Sequence, residues 1–165
     1  MVSQSGTSMM KYNANDTLKT FATFRVAGDR LAPDEITEII SFQPTLAYAK
    51  GQQYSRGPDR ATLTGKTGVW FFATDKVIAS NEFDDHLSFI VNLLITPRNK
   101  FVPLVKLRDL IKRKQFEAHV SCFWFGRSGA KKPSLPNSLK DFFGLIPADI
   151  EIDFDTEEAK SRRVA

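Results

Sequence analysis

Between Gly68 and Thr74 the chain reads Gly-Val-Trp-Phe-Phe-Ala-Thr, and a strand of that composition has no face that tolerates water. Side chains alternate along a strand, so Trp70 and Phe72 share one face and Val69, Phe71 and Ala73 the other. Apolar residues on both faces mark a strand that is central to a sheet or covered on each side. A helix signal from Asn81 to Ile95 follows, with Phe83, Leu87, Ile90 and Leu94 spaced as one buried stripe. Strand and helix together read as the middle of a core. Neither offers chemistry.

The other elements arrange themselves around this pair. Leu18 to Val26 alternates, with Thr20, Ala22, Phe24 and Val26 opposite Lys19, Phe21, Thr23 and Arg25. After a turn at Ala27 to Arg30, a short helix begins near Pro33, carries Asp34 and Glu35 in its first turn, and ends before Pro44. Its inner stripe is Ile36, Ile39 and Ile40. Leu46 to Ala49 reads as a short strand and Gly51 to Lys66 as a long polar loop. Asn81 is the expected cap of the main helix. Pro97 ends it, and Pro103 opens a further helix with Leu104, Leu107 and Ile111 inward. Phe116 to Phe125 is a second clear strand, Ser138 to Phe143 a short helix, and Ile150, Ile152 and Phe154 the inner row of a last strand.

The two short helices echo one another. Pro33 and Pro44 bracket the first, Pro136 and Pro147 the second, and Ile36, Ile39, Ile40 and Phe42 fall in register with Leu139, Phe142, Phe143 and Leu145. The chain therefore reads as two repeated strand–helix–strand units joined by the aromatic strand and two longer helices. Such units favour parallel strand pairing. The expected fold is α+β, related to the ferredoxin-like arrangement, with a mixed sheet of about five strands and four helices. A single domain is expected over 18–155, with flexible tails over 1–17 and 156–165; Met9 and Met10 each offer an alternative start.

At 165 residues, 42% hydrophobic and 25% charged, the chain suits one soluble domain that folds without metal or disulfide. Fourteen phenylalanines make its core aromatic. The lone Cys122 has no bridging partner, reads as a buried thiol, and fits a reducing cytoplasm. The longest apolar run, Phe89 to Ile95, falls far short of the roughly 20 residues that span a bilayer, and the first sixteen residues have no secretory apolar region. Net charge is +4, but it is segregated. Arg98 to Lys114 holds seven bases and one acid, whereas Asp141 to Glu158 holds seven acids and no base. This is not the uniformly basic surface of a nucleic-acid binder.

The order and spacing of several short stretches resemble the bacterial domain-of-unknown-function family 4279. They run from Phe24-Arg-Val-Ala-Gly-Asp through Leu31-Ala-Pro-Asp-Glu-Ile-Thr, Pro44-Thr, Lys50-Gly51 and Val69-Trp70. Asp84-Asp-His-Leu, Gly144-Leu and Ile150-Glu-Ile-Asp complete the set, which covers the chain except its two ends. The resemblance implies a small intracellular α+β domain with no established reaction, cofactor or catalytic residue.

Catalytic constellations are absent from the pattern. Glu117, His119 and Ser121 share a strand face, but same-face neighbours stand about 7 Å apart and project in parallel, too far for a hydrogen-bonded triad. His86 lies one helical turn after Glu82 at the border of the apolar stripe, the place of a locally paired histidine. No metal signature, phosphate loop or dinucleotide motif occurs, so no cofactor and no metal is expected. The loop from Lys50 to Lys66 is the best candidate surface. It presents Lys50, Tyr54, Arg56 and Arg60 and leads into Trp70. Loops on rigid scaffolds gather binding residues, and Tyr and Arg are enriched at interface centres. The expected binding set is Lys50, Tyr54, Arg56, Arg60, Trp70 and His86. The expected role is a non-enzymatic cytoplasmic module that binds a protein partner, of a toxin-neutralising or immunity kind. A small-ligand binder or enzyme with a pocket near Trp70 is the alternative, and nucleic-acid binding, through the helix after Pro103, the third.

Overall fold

The computed structural model describes residues 12–98 and 100–158. Its organising strand is β1 (Thr17–Gly28). The alternation expected there is realised: Thr20, Ala22, Phe24 and Val26 are buried, while Phe21, Thr23 and Arg25 stay half-buried on the other face. β1 pairs antiparallel along both edges, with β5 (Gly68–Ala73) and with β6 (Glu117–Gly126). With β2 (Leu46–Tyr48) and β7 (Ala148–Thr156) the order is β2-β5-β1-β6-β7. β2 joins β5 antiparallel and β7 joins β6 parallel, so the sheet is mixed.

Among the described residues four α-helices complete an α+β fold: α1 (Pro33–Ile40), α2 (Phe83–Leu94), α3 (Val102–Lys114) and α4 (Asn137–Gly144). β1 and β2 are both antiparallel to β5, hence parallel to one another with β5 between them. That is the split strand–helix–strand arrangement of ferredoxin-like domains, and β1, α1, β2, β5, α2 and β6 follow it in order. The two expected repeat units therefore differ. β6 and β7 of the second pair directly, whereas β5 separates the strands of the first. The overlay of the short helices holds at three of its four positions, and fails at Leu145, exposed where Phe42 is half-buried.

One face of the sheet carries the core. Phe24, Val26, Trp70, Phe72, Val120 and Trp124 pack against Ile36 and Ile40 of α1, the expected stripe of α2, and Leu139 and Phe143 of α4. Both indoles are fully buried with partners: Trp70 Nε1 donates to Thr37 Oγ1 at 3.1 Å and Trp124 Nε1 to Thr17 Oγ1 at 3.1 Å. A buried N–H left without such an acceptor would cost about 1–3 kcal/mol. Gly68 is required by close approach: a Cβ there would lie 2.8 Å from the Gly28 carbonyl oxygen and 2.9 Å from Leu31.

Two sequence expectations are corrected. The polar stretch 51–66 is not a plain loop but a two-stranded hairpin, β3 (Gln53–Arg56) and β4 (Ala61–Thr64). Nearly all its residues are exposed, so no alternation of apolar residues advertises it. It closes through Gly51 N–H to the Gly65 carbonyl at 2.8 Å and Gly65 N–H to Gln52 at 2.9 Å. Asn81 does not cap α2; its amide donates to the Leu18 carbonyl, and Glu82 occupies the cap position. Within the stretch expected as an N-terminal tail over 1–17, Tyr12 contacts α2. Tyr12 packs its ring 5.9 Å from that of Phe83, and its hydroxyl accepts from Phe83 N–H at 3.0 Å. The part of that stretch before Tyr12, including Met9 and Met10, lies outside the described residues, as does the C-terminal stretch from 159 on; Thr156 belongs to β7.

Cys122 is buried, and burial, with the Glu151 carboxylate adding to it, pushes its thiol from 9.0 up to about 12. A raised thiol means that the folded state holds the proton more tightly. This contribution to stability is complete below pH 9 and is lost as pH rises toward 12. A disulfide-exchange reagent at pH 8 is expected to label Cys122 only as fast as the protein unfolds, and Gly68→Ala, destabilising by about 1–3 kcal/mol through overpacking, to speed that labelling in proportion.

Candidate functional site

The face of the sheet opposite the helices holds the other half of each alternation, a mixture of polar and aromatic side chains. Arg25 of β1 pairs across to Phe71 of β5 and to His119 of β6, and Phe21 to Phe123. None of these side chains belongs to the core cluster, and all are half-buried. The Phe21 and Phe123 rings stack at 4.8 Å. On β7 the same face carries Asp149, Glu151, Asp153 and Asp155, placed by register beside His119, Ser121, Phe123 and Phe125. The Glu117–His119–Ser121 row forms no triad; His119 Nε2 instead meets Glu151 Oε1 on the neighbouring strand at 3.0 Å.

At the β2 end the hairpin and the sheet enclose a cleft of about 760 Å³. Its floor is Leu46, Val69 and Phe71, its polar wall Thr45 and Ser55, and its cations are Arg25, Arg56 and Lys76. No carboxylate lines it. Among the described residues neither Arg25 nor Arg56 is ion-paired, and Lys76 has only Asp75, at 4.0 Å. Such a site attracts an anion, and its apolar floor favours one attached to an apolar body. Tyr48 forms the hinge between sheet and hairpin, stacked on Tyr54 at 3.8 Å with rings nearly parallel. Burial raises the Tyr48 phenol, with the hydrogen bond to the Tyr54 hydroxyl adding to the effect, so Tyr48 stays a neutral hydroxyl beside the cations at physiological pH. Gly65 makes room for this stack, since a Cβ there would sit 2.6 Å from the Tyr48 ring.

Of the residues singled out from sequence, Arg56 lines the cleft and Tyr54 supports it through Tyr48. Arg60 sits exposed in the hairpin turn with a positive φ of 49°. Lys50 pairs with Asp29, whose carboxyl is held below its usual range first by that hydrogen bond and then by Thr67. Trp70 faces the core from the opposite side of β5, so the cleft is near it in sequence but across the sheet in space. His86 is buried within the fold. Its Nε2 donates to the Ser80 carbonyl at 2.9 Å, leaving Nδ1 to accept from the Thr74 hydroxyl at 2.6 Å. Thr74 in turn accepts from Ala22 N–H, continuing the β1–β5 ladder one residue past the end of β5. His86 is a structural pin.

Sequence reasoning missed Arg25 and Lys76. Arg25 is flagged only by strand alternation combined with the pairing of β1 to β5, which no local pattern reveals, and Lys76 only by its place at the end of the 3-10 turn Thr74–Lys76 that follows β5. The basic helix α3 is partly neutralised in place: Lys114 pairs with Glu35 of α1 at 2.8 Å and Arg108 with Asp109. Among the described residues no group of three or more His, Cys, Asp or Glu is placed to hold a metal ion, and no helix is long and apolar enough to cross a membrane.

His86→Ala is expected to lower stability by about 1–3 kcal/mol, because it removes the ring N–H that the Ser80 carbonyl accepts and leaves the buried Thr74 hydroxyl with Ala22 as its only partner, measurable by denaturant unfolding. Gly65→Ala is expected instead to leave global stability nearly intact while making the hairpin a fast target for limited proteolysis, as Tyr48 is displaced from Tyr54.

No curated protein and no solved structure matches the chain. A family model described as "Domain of unknown function (DUF4279)" matches residues 17–157, which runs from the first residue of β1 to one residue past β7. The chain belongs to that family, whose span takes in the sheet, the hairpin and all four helices.

Proposed function

We propose that the protein is a non-enzymatic binding module and that the open face of its sheet, with the hairpin beside it, receives a protein partner. One observation carries this reading: aromatic rings stand half-buried on a sheet face that, among the described residues, none of α1 to α4 covers, centred on the Phe21–Phe123 stack. Rings left partly wet in the free chain gain apolar burial when a second surface closes over them. Charge supports the same use. Arg56 and Lys76 lie toward one end of the face, with Arg25 at its centre, and Asp149, Glu151 and Asp153 at the other end, an arrangement that steers a complementary partner into one orientation. A module that neutralises a toxin by masking it would use the face in this way. The lone buried thiol suits a reducing cytoplasm as its compartment.

A second reading, a small anionic ligand in the cleft, is favoured by the cleft's volume, within the roughly 300–1,000 Å³ usual for ligand sites. The two readings separate in one experiment. Tagged full-length protein recovered gently from its own host is expected to retain one stoichiometric protein, which Phe123→Lys releases without shifting the thermal midpoint. A partner that the variant retains, or a small molecule in place of a protein, overturns the proposal.

A further inference from the structure

The open face is more than an apolar patch with charged ends. Arg25 borders three depressions at once: the hairpin cleft, a smaller hollow of about 380 Å³ near Asp29 and Glu117, and one of about 490 Å³ floored by His119 and edged by Glu117 and Asp149. Sharing Arg25, the hollows together lie across the strands as a track from the β2–β5 side to the β6–β7 side, with Arg25 at its midpoint. A compact small molecule would fill one depression. A track suits an extended chain.

The charges along that track are ordered. Its hairpin end offers Arg56 and Lys76 with no lining carboxylate, and its far end offers Glu117 and Asp149. The midpoints of the β2–β5 and β6–β7 pairs lie three strand spacings apart, about 14 Å. In an extended peptide, residues i and i+4 project from the same face about 13 Å apart. The two lengths agree.

Resting on the reading of this face as a protein-docking surface, we infer that the track binds an extended segment of the partner carrying an acidic and a basic residue four positions apart. The acidic side chain enters the hairpin cleft between Arg25 and Arg56, where Lys76 adds to the field and the Phe71 ring packs beneath its methylenes. The basic side chain reaches Glu117 and Asp149. His119, in the floor of the far hollow, is engaged by Glu151 and does not compete for the acid. Neither end alone specifies the segment; the spacing does.

The test uses the full-length chain and short capped peptides that hold one glutamate and one lysine four positions apart, in both chain directions. Controls carry glutamine at both charged positions, or the same charges two positions apart. Calorimetric titration at low ionic strength is expected to show one direction binding at least about tenfold more tightly than either control. Arg56→Gln is expected to weaken that peptide about tenfold. Glu117→Gln with Asp149→Asn is expected to weaken it similarly, while leaving a peptide that bears only the glutamate unaffected. Equal binding of the charged and glutamine peptides, insensitivity to spacing, or full competition by inorganic phosphate overturns the inference. The underlying reading fails separately: if Phe123→Lys still retains the protein partner, the face itself is wrong, whereas a partner released by Phe123→Lys but held by the Arg56 variant condemns the track alone.

Discussion

Everything in this molecule hangs on β1 being bonded along both of its edges. Its residues from Thr23 to Gly28 are matched to β5, and nearly its whole length is matched to β6. With both edges fixed, its alternation is fixed as well. A slip of one residue against either neighbour would send Arg25 into the core and bring Phe24 and Val26 to the surface. Burying an unpaired guanidinium costs far more than any local rearrangement recovers, so the register has a single low-energy solution. The same constraint that builds the core therefore sets Arg25 in the middle of the opposite face.

Polar side chains complete the core where backbone pairing stops. The Thr74 hydroxyl takes the Ala22 N–H one step beyond the last residue of β5 and is itself tied to His86 on α2. Thr37 on α1 and Thr17 at the start of β1 receive the two buried indoles. Each contact joins an element to the sheet by a directional bond at a place where apolar packing alone would let it slide. These pins hold the covered face rigid, which leaves the hairpin, joined mainly through Tyr48, Tyr54 and the Gly51–Gly65 bonds, as the part of the site able to adjust.

Much of the frame was legible in the sequence because alternation and helical stripes report burial directly. The faces of β1, β5 and β6, the stripe of α2 and the inward leucines of α3 all follow from spacing, and so does the pairing of short helices α1 and α4. The hairpin was not legible: β4 is exposed at every residue, so its strands carry no burial signal for a pattern to reveal. The intercalation of β5 between β1 and β2 was hidden for a different reason, since a short strand–helix–strand unit is equally compatible with direct pairing. The candidate site suffered most. Arg56 and Tyr54 stand out in a polar stretch, but Arg25, Phe71 and Lys76 become neighbours only through pairing between β1 and β5, some forty-five residues apart in sequence. Trp70 drew attention as the largest ring of its strand, and size is a property of cores rather than of sites.

The split strand–helix–strand frame accounts for β1, α1, β2, β5, α2 and β6, and the chain adds two elements beside that frame on opposite sides of the sheet. The β3–β4 hairpin lies on the β2 side and supplies Arg56; the α4–β7 unit extends the β6 side and supplies Asp149. The hairpin adds nothing to the core around Phe24, Trp70 and Val120, whereas α4 adds Leu139 and Phe143 to it, yet each unit brings to the same open face a charge opposite to the other's. Insertions that served only stability would be expected to bury apolar surface, and β4 buries almost none. Their common orientation is what a recognition surface requires: a stable frame that fixes the central arginine, and two peripheral elements whose side chains can change without disturbing it.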